Sequence, residues 1–127
     1  MQTIYIAGNL LVKEDSLPLK LINKLEKTFP HIDFKELEPT DDMPEERNLT
    51  IIDTIMGIER VTILTDIDKI ITEKAVSLHD FDLGFNLKLM KKMGKLESVK
   101  IIGVPPEMDE KEVFKEVVKV LKFLQMF

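Results

Sequence analysis

The chain has 127 residues, a hydrophobic fraction of 44%, a charged fraction of 32% and a formal net charge of −5. This size fits one domain spanning residues 1–127, and the acidic balance argues against nucleic-acid binding. Because there is no cysteine, disulfides, thiolate metal ligands and a thiol nucleophile are excluded. No apolar run approaches the roughly 20 residues of a membrane span and no targeting segment is visible, so we expect the protein in the cytoplasm. We also expect a monomer.

The first third of the chain predicts two strands around one helix. Residues 3–7 form a short β-branched run, and Gly8 follows it as a turn residue. Ser16 is a suitable N-cap for a helix that carries one apolar stripe, ending with Phe29, and that stops at Pro30. Residues 32–37 alternate apolar and polar side chains, which predicts a strand near an edge of the sheet with one face exposed.

An acidic segment, residues 36–46, separates this strand from the next. A run of this kind is usually a solvated loop. Alternatively, its charge could attract a basic surface of a partner protein. The segment contains two prolines, Pro39 and Pro44, and six acids: Glu36, Glu38, Asp41, Asp42, Glu45 and Glu46.

The segment 48–57 is predicted to be a central strand. Its continuous Leu and Ile run is typical of a strand covered on both faces, and the run ends at Asp53. In open α/β sheets, chemistry collects at the carboxyl ends of such strands, which makes Asp53 a functional candidate. The alternative is that Asp53 only begins a turn by bonding its own backbone.

The second half of the chain predicts two more strands and two helices. Residues 60–65 and 99–104 have strand composition, while 66–78 is predicted to be an irregular connection. A helix with Leu83, Leu87 and Met90 on one side should end at Gly94, and a C-terminal helix should begin at Asp109. Five strands and three helices in alternation predict an α/β fold with three α/β/α layers.

Several enzyme classes lack their motifs. No Gly-x-Ser-x-Gly turn or Gly-x-x-x-x-Gly-Lys loop is present, and one glycine after the first strand is too few for a dinucleotide site. Three loop residues, Asp15, Asp53 and His79, remain as a possible divalent metal site with open coordination positions. If the first and central strands are parallel, Asp15 and Asp53 emerge at the same edge of the sheet. The alternative for His79 is a helix-capping or surface histidine.

Four segments, taken in order, resemble the motifs of the hydrogenase maturation proteases. These segments are 6–15 with its Gly-Asn turn, 49–53, 77–81, and 99–107 with its Ile-Gly-Val-x-Pro-Glu ending. Members of this family are endopeptidases that trim the C-terminus of a nickel–iron hydrogenase large subunit. The resemblance extends from residue 3 to about residue 124.

This resemblance implies a twisted, mostly parallel five-stranded sheet and the metal-contacting residues Asp15, Asp53 and His79. These three residues would be both catalytic and metal-binding. It also implies that the metal is nickel carried by the large-subunit precursor, and that the protease has no tightly bound cofactor of its own. Either a metal-bound water or an Asp acting as base could activate the nucleophile.

The sequence departs from the family pattern at three places. Ile6 stands where the family usually has a glycine, and Pro18 stands where a glycine commonly follows the acidic pair. Residues 37–42 replace a glycine-rich turn.

Two other classes of function stay open. The chain could be a non-catalytic α/β binding module that docks through the acidic segment 36–46. It could also bind a small molecule at the same edge of the sheet, although the scarcity of glycine argues against that.

Overall fold

The structure is a computed structural model that describes residues 2–7, 16–37, 44, 46–66 and 86–125. Its strands are β1 (Gln2–Ala7), β2 (Ile32–Leu37), β3 (Asn48–Thr54), β4 (Thr62–Leu64) and β5 (Ser98–Val104). Its helices are α1 (Leu17–Lys20), α2 (Ile22–Thr28), α3 (residues 86–92) and α4 (Glu110–Gln125). Among these residues, no helix is both long enough and apolar enough to cross a bilayer.

The strands form one five-stranded sheet in the order β2-β1-β3-β5-β4. The pairs β1–β2, β1–β3 and β3–β5 are parallel, and only the short strand β4 pairs in the antiparallel sense, with β5. The predicted α/β fold with a mostly parallel sheet is therefore confirmed. The prediction that β2 lies at an edge is also confirmed.

Helices cover both faces of the sheet, which gives the three predicted layers. On one face, Ile4, Ile6 and Ile52 pack with buried side chains of α1, α2 and α4. On the other face, Leu49, Ile51 and Ile101 pack with Leu87 of α3. Successive side chains of a strand point to opposite faces, so the adjacent buried residues Ile51 and Ile52 of β3 pack on opposite faces of the sheet.

The prediction of one continuous helix from Ser16 to Phe29 is wrong in one respect, because the helix is interrupted at Leu21. There the backbone N–H of Leu21 donates to Pro18 O at 3.1 Å, three residues back. This tighter bond ends α1, and α2 starts again at Ile22. Leu21 and Leu25 are both fully buried, so the apolar stripe is kept across the interruption.

Two predicted helix ends are confirmed by their hydrogen bonds. After α3, Gly94 has a φ of +75°, and Lys95 N donates to Met90 O at 3.0 Å, as in a Schellman motif. Before α4, Asp109 Oδ2 accepts from Lys111 N at 3.1 Å, which makes Asp109 the N-cap.

Candidate functional site

Asp53 lies at the centre of the sheet, next to last in β3. Ile52, the preceding residue, pairs with Ile6 of β1, and Asp53 itself pairs with Gly103 of β5. From β1 the chain continues to β2 through α1 and α2, which cover one face of the sheet. From β3 it continues to β5 through the edge strand β4 and then through α3, which covers the other face. The carboxyl ends of β1 and β3 therefore form the topological switch point of the sheet, where open α/β sheets bind their ligands.

The side chain of Asp53 is fully buried, with 0% of its surface exposed. Aspartate is rarely buried to this extent because removing a carboxylate from water is costly. Oδ1 accepts a hydrogen bond from the backbone N–H of Thr54 at 2.7 Å. This local bond occurs inside β3, and Ile55 N continues the pairing by donating to Val104 O at 3.0 Å. Asp53 therefore accepts a hydrogen bond from the adjacent backbone, as expected if its only role were to begin a turn. However, the strand continues through Thr54, so no turn begins at Asp53.

A glycine beside Asp53 makes room for a buried isoleucine. A Cβ atom added at Gly103 would overlap Ile55 Cδ1 and would lie 2.9 Å from Ile55 Cγ1. Ile55 is itself fully buried, so its side chain fills the space over Gly103. Gly103 belongs to the Ile-Gly-Val segment singled out from the sequence, and the structure gives the physical reason for a glycine there.

Asp15 and His79 lie outside the described residues, so their predicted roles as ligands stay predictions. The predicted irregular connection, apart from its first residue, lies outside them as well. Within the described ranges, no three His, Asp or Glu side chains are close enough together to hold a metal ion. The one condition stated for bringing Asp15 and Asp53 together is met: β1 and β3 are parallel, so the segment carrying Asp15 begins at the edge of the sheet where Asp53 lies. In addition, alternation along β3 places Asp53 on the face covered by α3, the helix that follows His79 in the sequence.

An open cleft of about 520 Å³ lies where the chain leaves β3 and β5, and residues 56–59 and 105–108 line it. The two segments diverge because Gly57, with a φ of +84°, turns the first and Pro105 with Pro106 stops the second. Sequence reasoning did not identify this cleft. Its only signal was the pair of turns after two predicted strands, and the pairing of those strands was needed to bring the turns together.

The segment that follows Gly57 is fastened to α4 by one carboxylate. Glu116 Oε1 accepts a hydrogen bond from Val61 N at 3.3 Å and lies 3.5 Å from Arg60 Nε. The Glu116 side chain is 16% exposed, whereas that of Arg60 is 79% exposed. The segment that continues from one wall of the cleft is therefore held against α4 mainly by the partly buried hydrogen bond between Val61 N and Glu116 Oε1.

At the opposite end of β3, Glu46 differs from the prediction that the acidic segment is a solvated loop. Glu46 is partly buried, and it accepts a hydrogen bond from the Tyr5 hydroxyl. Burial raises the pKa of the Tyr5 phenol above its usual value, and the charge and hydrogen bond of Glu46 raise it further. Glu36 is exposed in β2, and the four acids between them lie outside the described residues.

The described fold is similar to solved structures of endopeptidases. A solution structure of an endopeptidase from Escherichia coli matches with a TM-score of 0.68 and 18% identity, covering 98% of this chain and 90% of the other. A solution structure of the endopeptidase HycI from Escherichia coli matches with a TM-score of 0.66 and 18% identity over 98% and 92%. A crystal structure of a hydrogenase 3 maturation protease matches with a TM-score of 0.62 and 17% identity over 95% and 86%.

The chain has the fold of these endopeptidases. In contrast, the sequence matches no protein-family model and no curated protein. The structural matches extend over nearly the whole of both chains, so the shared fold includes the central strand that carries Asp53.

Proposed function

We propose that this chain is an endopeptidase that removes the C-terminal extension of a nickel-loaded nickel–iron hydrogenase large-subunit precursor. One observation carries the proposal: a fully buried carboxylate, Asp53, lies at the switch point of a fold shared with a hydrogenase maturation protease. The sequence motifs around Asp15, Asp53 and His79 support the same assignment.

The proposed roles follow from the chemistry of the side chains. Carboxylate oxygens and imidazole nitrogens are suitable ligands for divalent nickel. Asp15, Asp53 and His79 would contact the nickel of the substrate and so hold the adjacent peptide bond and a water in place. In this proposal the metal belongs to the precursor, and the protease has no tightly bound metal of its own.

Burial of Asp53 adds a condition to this mechanism. Its carboxyl group has no surface open to solvent, so contact with a metal carried by another protein requires the chain around it to move. Binding of the precursor would supply the free energy for that movement. We therefore expect nickel ions alone to bind this protein far more weakly than the nickel-loaded precursor does.

The test is incubation with a nickel-loaded, unprocessed large subunit, followed by intact-mass analysis, with nickel-free precursor alongside. We expect the C-terminal peptide to be lost only from the nickel-loaded form. Protease that has been treated with a chelator and then freed of it by gel filtration should be equally active. Failure of the wild-type protein to cleave any precursor would refute the proposal.

Two variants assign the activity to the site. Asp53→Asn keeps the size of the side chain and its acceptor for Thr54 N, so the fold should persist. Processing should slow by at least about 100-fold, as for loss of a group that acts in proton transfer or substrate positioning. Asp33→Asn, an equivalent change in β2 at a carboxylate ion-paired with Lys35, should process normally. Full activity of Asp53→Asn would contradict the assigned role. Loss of function on neutralising Glu45 and Glu46 instead would favour the docking module.

A further inference from the structure

We propose that α3 and the turn after it form a docking surface for the folded body of the precursor. The precursor would contact this surface with acidic groups placed around apolar side chains. The inference rests on the proposed function, and it concerns recognition at a distance from the peptide bond that is cut. The α3 surface consists of two apolar residues, Leu89 and Met93, and four exposed lysines, Lys88, Lys91, Lys92 and Lys95.

The apolar stripe of α3 is wider than the part that the sheet covers. Leu87 is fully buried in the core beside the sheet, and Met90 packs partly against the same core. In contrast, Leu89 and Met93 are 46% and 56% exposed. Met93 N donates to Leu89 O at 3.0 Å, so these two side chains lie one helical turn apart and form one apolar ridge. An exposed apolar ridge rimmed by polar groups is typical of a protein interaction site.

Every charged residue in the segment 86–96 is a lysine. The segment contains four lysines, all exposed, and no Asp or Glu, although the whole chain has a net charge of −5. Lys92 follows Leu89 by three residues, so the two lie side by side on the helix. Cations beside an apolar ridge complement a partner surface with acids beside apolar side chains, and the opposite charges speed the encounter.

The composition favours a protein partner over an anionic membrane. The segment 86–96 has none of the aromatic residues that often anchor a helix at a membrane interface. All 23 acids of the chain lie outside this segment, together with 14 of its 18 lysines and arginines. An extended anionic membrane would face these acids as well, whereas a protein can confine its own acids to the area opposite α3.

The position of α3 allows one bound precursor to reach both this surface and Asp53. Leu87 shares a core cluster with Ile51, two residues before Asp53, on the face of the sheet to which Asp53 belongs. At 1.5 Å per residue, residues 86–93 extend over only about 10 Å. An ordinary protein interface buries about 800 Å² on each partner, an area roughly 30 Å across. A precursor bound at Asp53 can therefore cover the α3 surface too.

Docking can be measured with the full-length protein and nickel-free precursor, which the proposed mechanism leaves uncleaved. Isothermal titration calorimetry gives the dissociation constant, and hydrogen exchange followed by mass spectrometry locates the contact. We expect exchange in residues 86–96 to slow when the precursor binds, and binding to weaken as the salt concentration rises. Absence of binding, or slower exchange confined to other segments, would overturn the inference.

A pair of lysine variants tests the charge. Lys91→Gln/Lys92→Gln should weaken binding of the precursor by about twofold to thirtyfold, the effect of losing two exposed charge pairs. The matched control is Lys20→Gln/Lys27→Gln, which removes two exposed lysines from the last turns of α1 and α2 and should leave binding unchanged. If the two double variants bind the precursor alike, the charge assignment is wrong.

A third double variant tests the apolar ridge. Leu89→Gln/Met93→Gln keeps long side chains at two half-exposed positions, so the fold should persist, as urea denaturation can verify. Binding of the precursor should weaken by about tenfold to a hundredfold. Unchanged binding would contradict the role of the ridge. Vesicles of phosphatidylserine and phosphatidylcholine provide the other arm: wild type that binds them through the ridge, while its binding of the precursor ignores the ridge, would identify a lipid surface and overturn the inference.

Kinetics with nickel-loaded precursor distinguish failure of this inference from failure of the proposed function. Loss of docking should raise KM and leave kcat unchanged, because the α3 surface would bind substrate and transition state equally. If wild type cleaves the precursor and the variants of the α3 surface have the same KM, the function stands and the docking surface fails. If these variants lose binding of the precursor but wild type cleaves none, the docking surface stands and the protease assignment fails.

Discussion

Replacing Gly103 by alanine should destabilise the protein through packing and not through backbone conformation. The added Cβ would overlap Ile55 Cδ1, and Ile55 has no exposed surface into which it can withdraw. Overpacking of this kind costs about 1–3 kcal/mol, against which alanine recovers about 0.4–1 kcal/mol by restricting the unfolded chain. These ranges give a net loss between about 0 and 2.6 kcal/mol, centred on about 1.3 kcal/mol, in the free energy of unfolding measured by urea denaturation.

A second substitution identifies the cause. Ile55→Val removes the Cδ1 atom that the new Cβ would overlap, so the double variant Gly103→Ala/Ile55→Val should be more stable than the two single effects predict. Gly94→Ala is the contrasting control. An added Cβ there meets no atom within 4 Å, but the φ of +75° is unfavourable for alanine, and Ile55→Val should not relieve that cost. A Gly103→Ala variant more stable than wild type, or strict additivity with Ile55→Val, would refute the packing explanation.

Two further predictions concern Glu116 and Tyr5. Glu116→Ala should lower the free energy of unfolding by about 1–3 kcal/mol because Val61 N loses its acceptor, while Glu116→Gln keeps an acceptor and should cost less than about 1 kcal/mol, both by urea denaturation. Tyr5 is the only tyrosine in a chain without tryptophan, so its ionisation can be followed by near-ultraviolet absorbance. Because the pKa of Tyr5 is raised, the folded protein keeps the phenol proton to a higher pH than the unfolded chain does. The contribution of Tyr5 to the free energy of unfolding should therefore be fully present below about pH 10 and should be lost as the pH rises above that value. Glu46→Gln should bring the pKa part of the way back, since burial, the larger cause, remains.

Each of these predictions has a contrary result. Equal destabilisation by Glu116→Ala and Glu116→Gln would show that the ion pair with Arg60 matters more than the bond to Val61 N. For Tyr5, an ionisation midpoint at the ordinary value of about 10 in the folded protein would contradict the effect of burial. Tyr5→Phe should remove the corresponding fall in stability at high pH, and persistence of that fall would assign it to other groups.

Much of the fold could be predicted because single segments carry enough information. The apolar run ending at Asp53 is long enough to indicate a strand buried on both faces, and the structure confirms β3 as the centre of the sheet. The alternating segment 32–37 predicted an edge strand with the observed bounds. Gly94 and Asp109 mark helix ends, because a positive φ and an N-cap bond are local requirements.

Features that leave no trace in the sequence pattern, or that depend on two distant segments, could not be predicted in the same way. The interruption at Leu21 leaves the apolar spacing unchanged, so periodicity gives no sign of it. The antiparallel direction of β4 is not encoded in three residues, and the cleft exists only because β3 and β5 are neighbours. Asp53 was found because it combines a local signal with a predictable place in the sheet, whereas the partial burial of Glu46 depends on its contact with Tyr5 of β1.

The pairing of β3 with β5 also governs when the surroundings of Asp53 can form during synthesis. Asn48 and Ser98 are partners 50 positions apart, so β3 remains without this neighbour until the ribosome has made β5. At typical rates of about 5–20 residues per second, that interval is about 3–10 s. Closing such a loop costs about 3.5 kcal/mol of chain entropy before any contact rewards it. The nascent chain therefore carries Asp53 without Gly103 beside it for seconds, and it completes the candidate site only when its last strand joins the sheet.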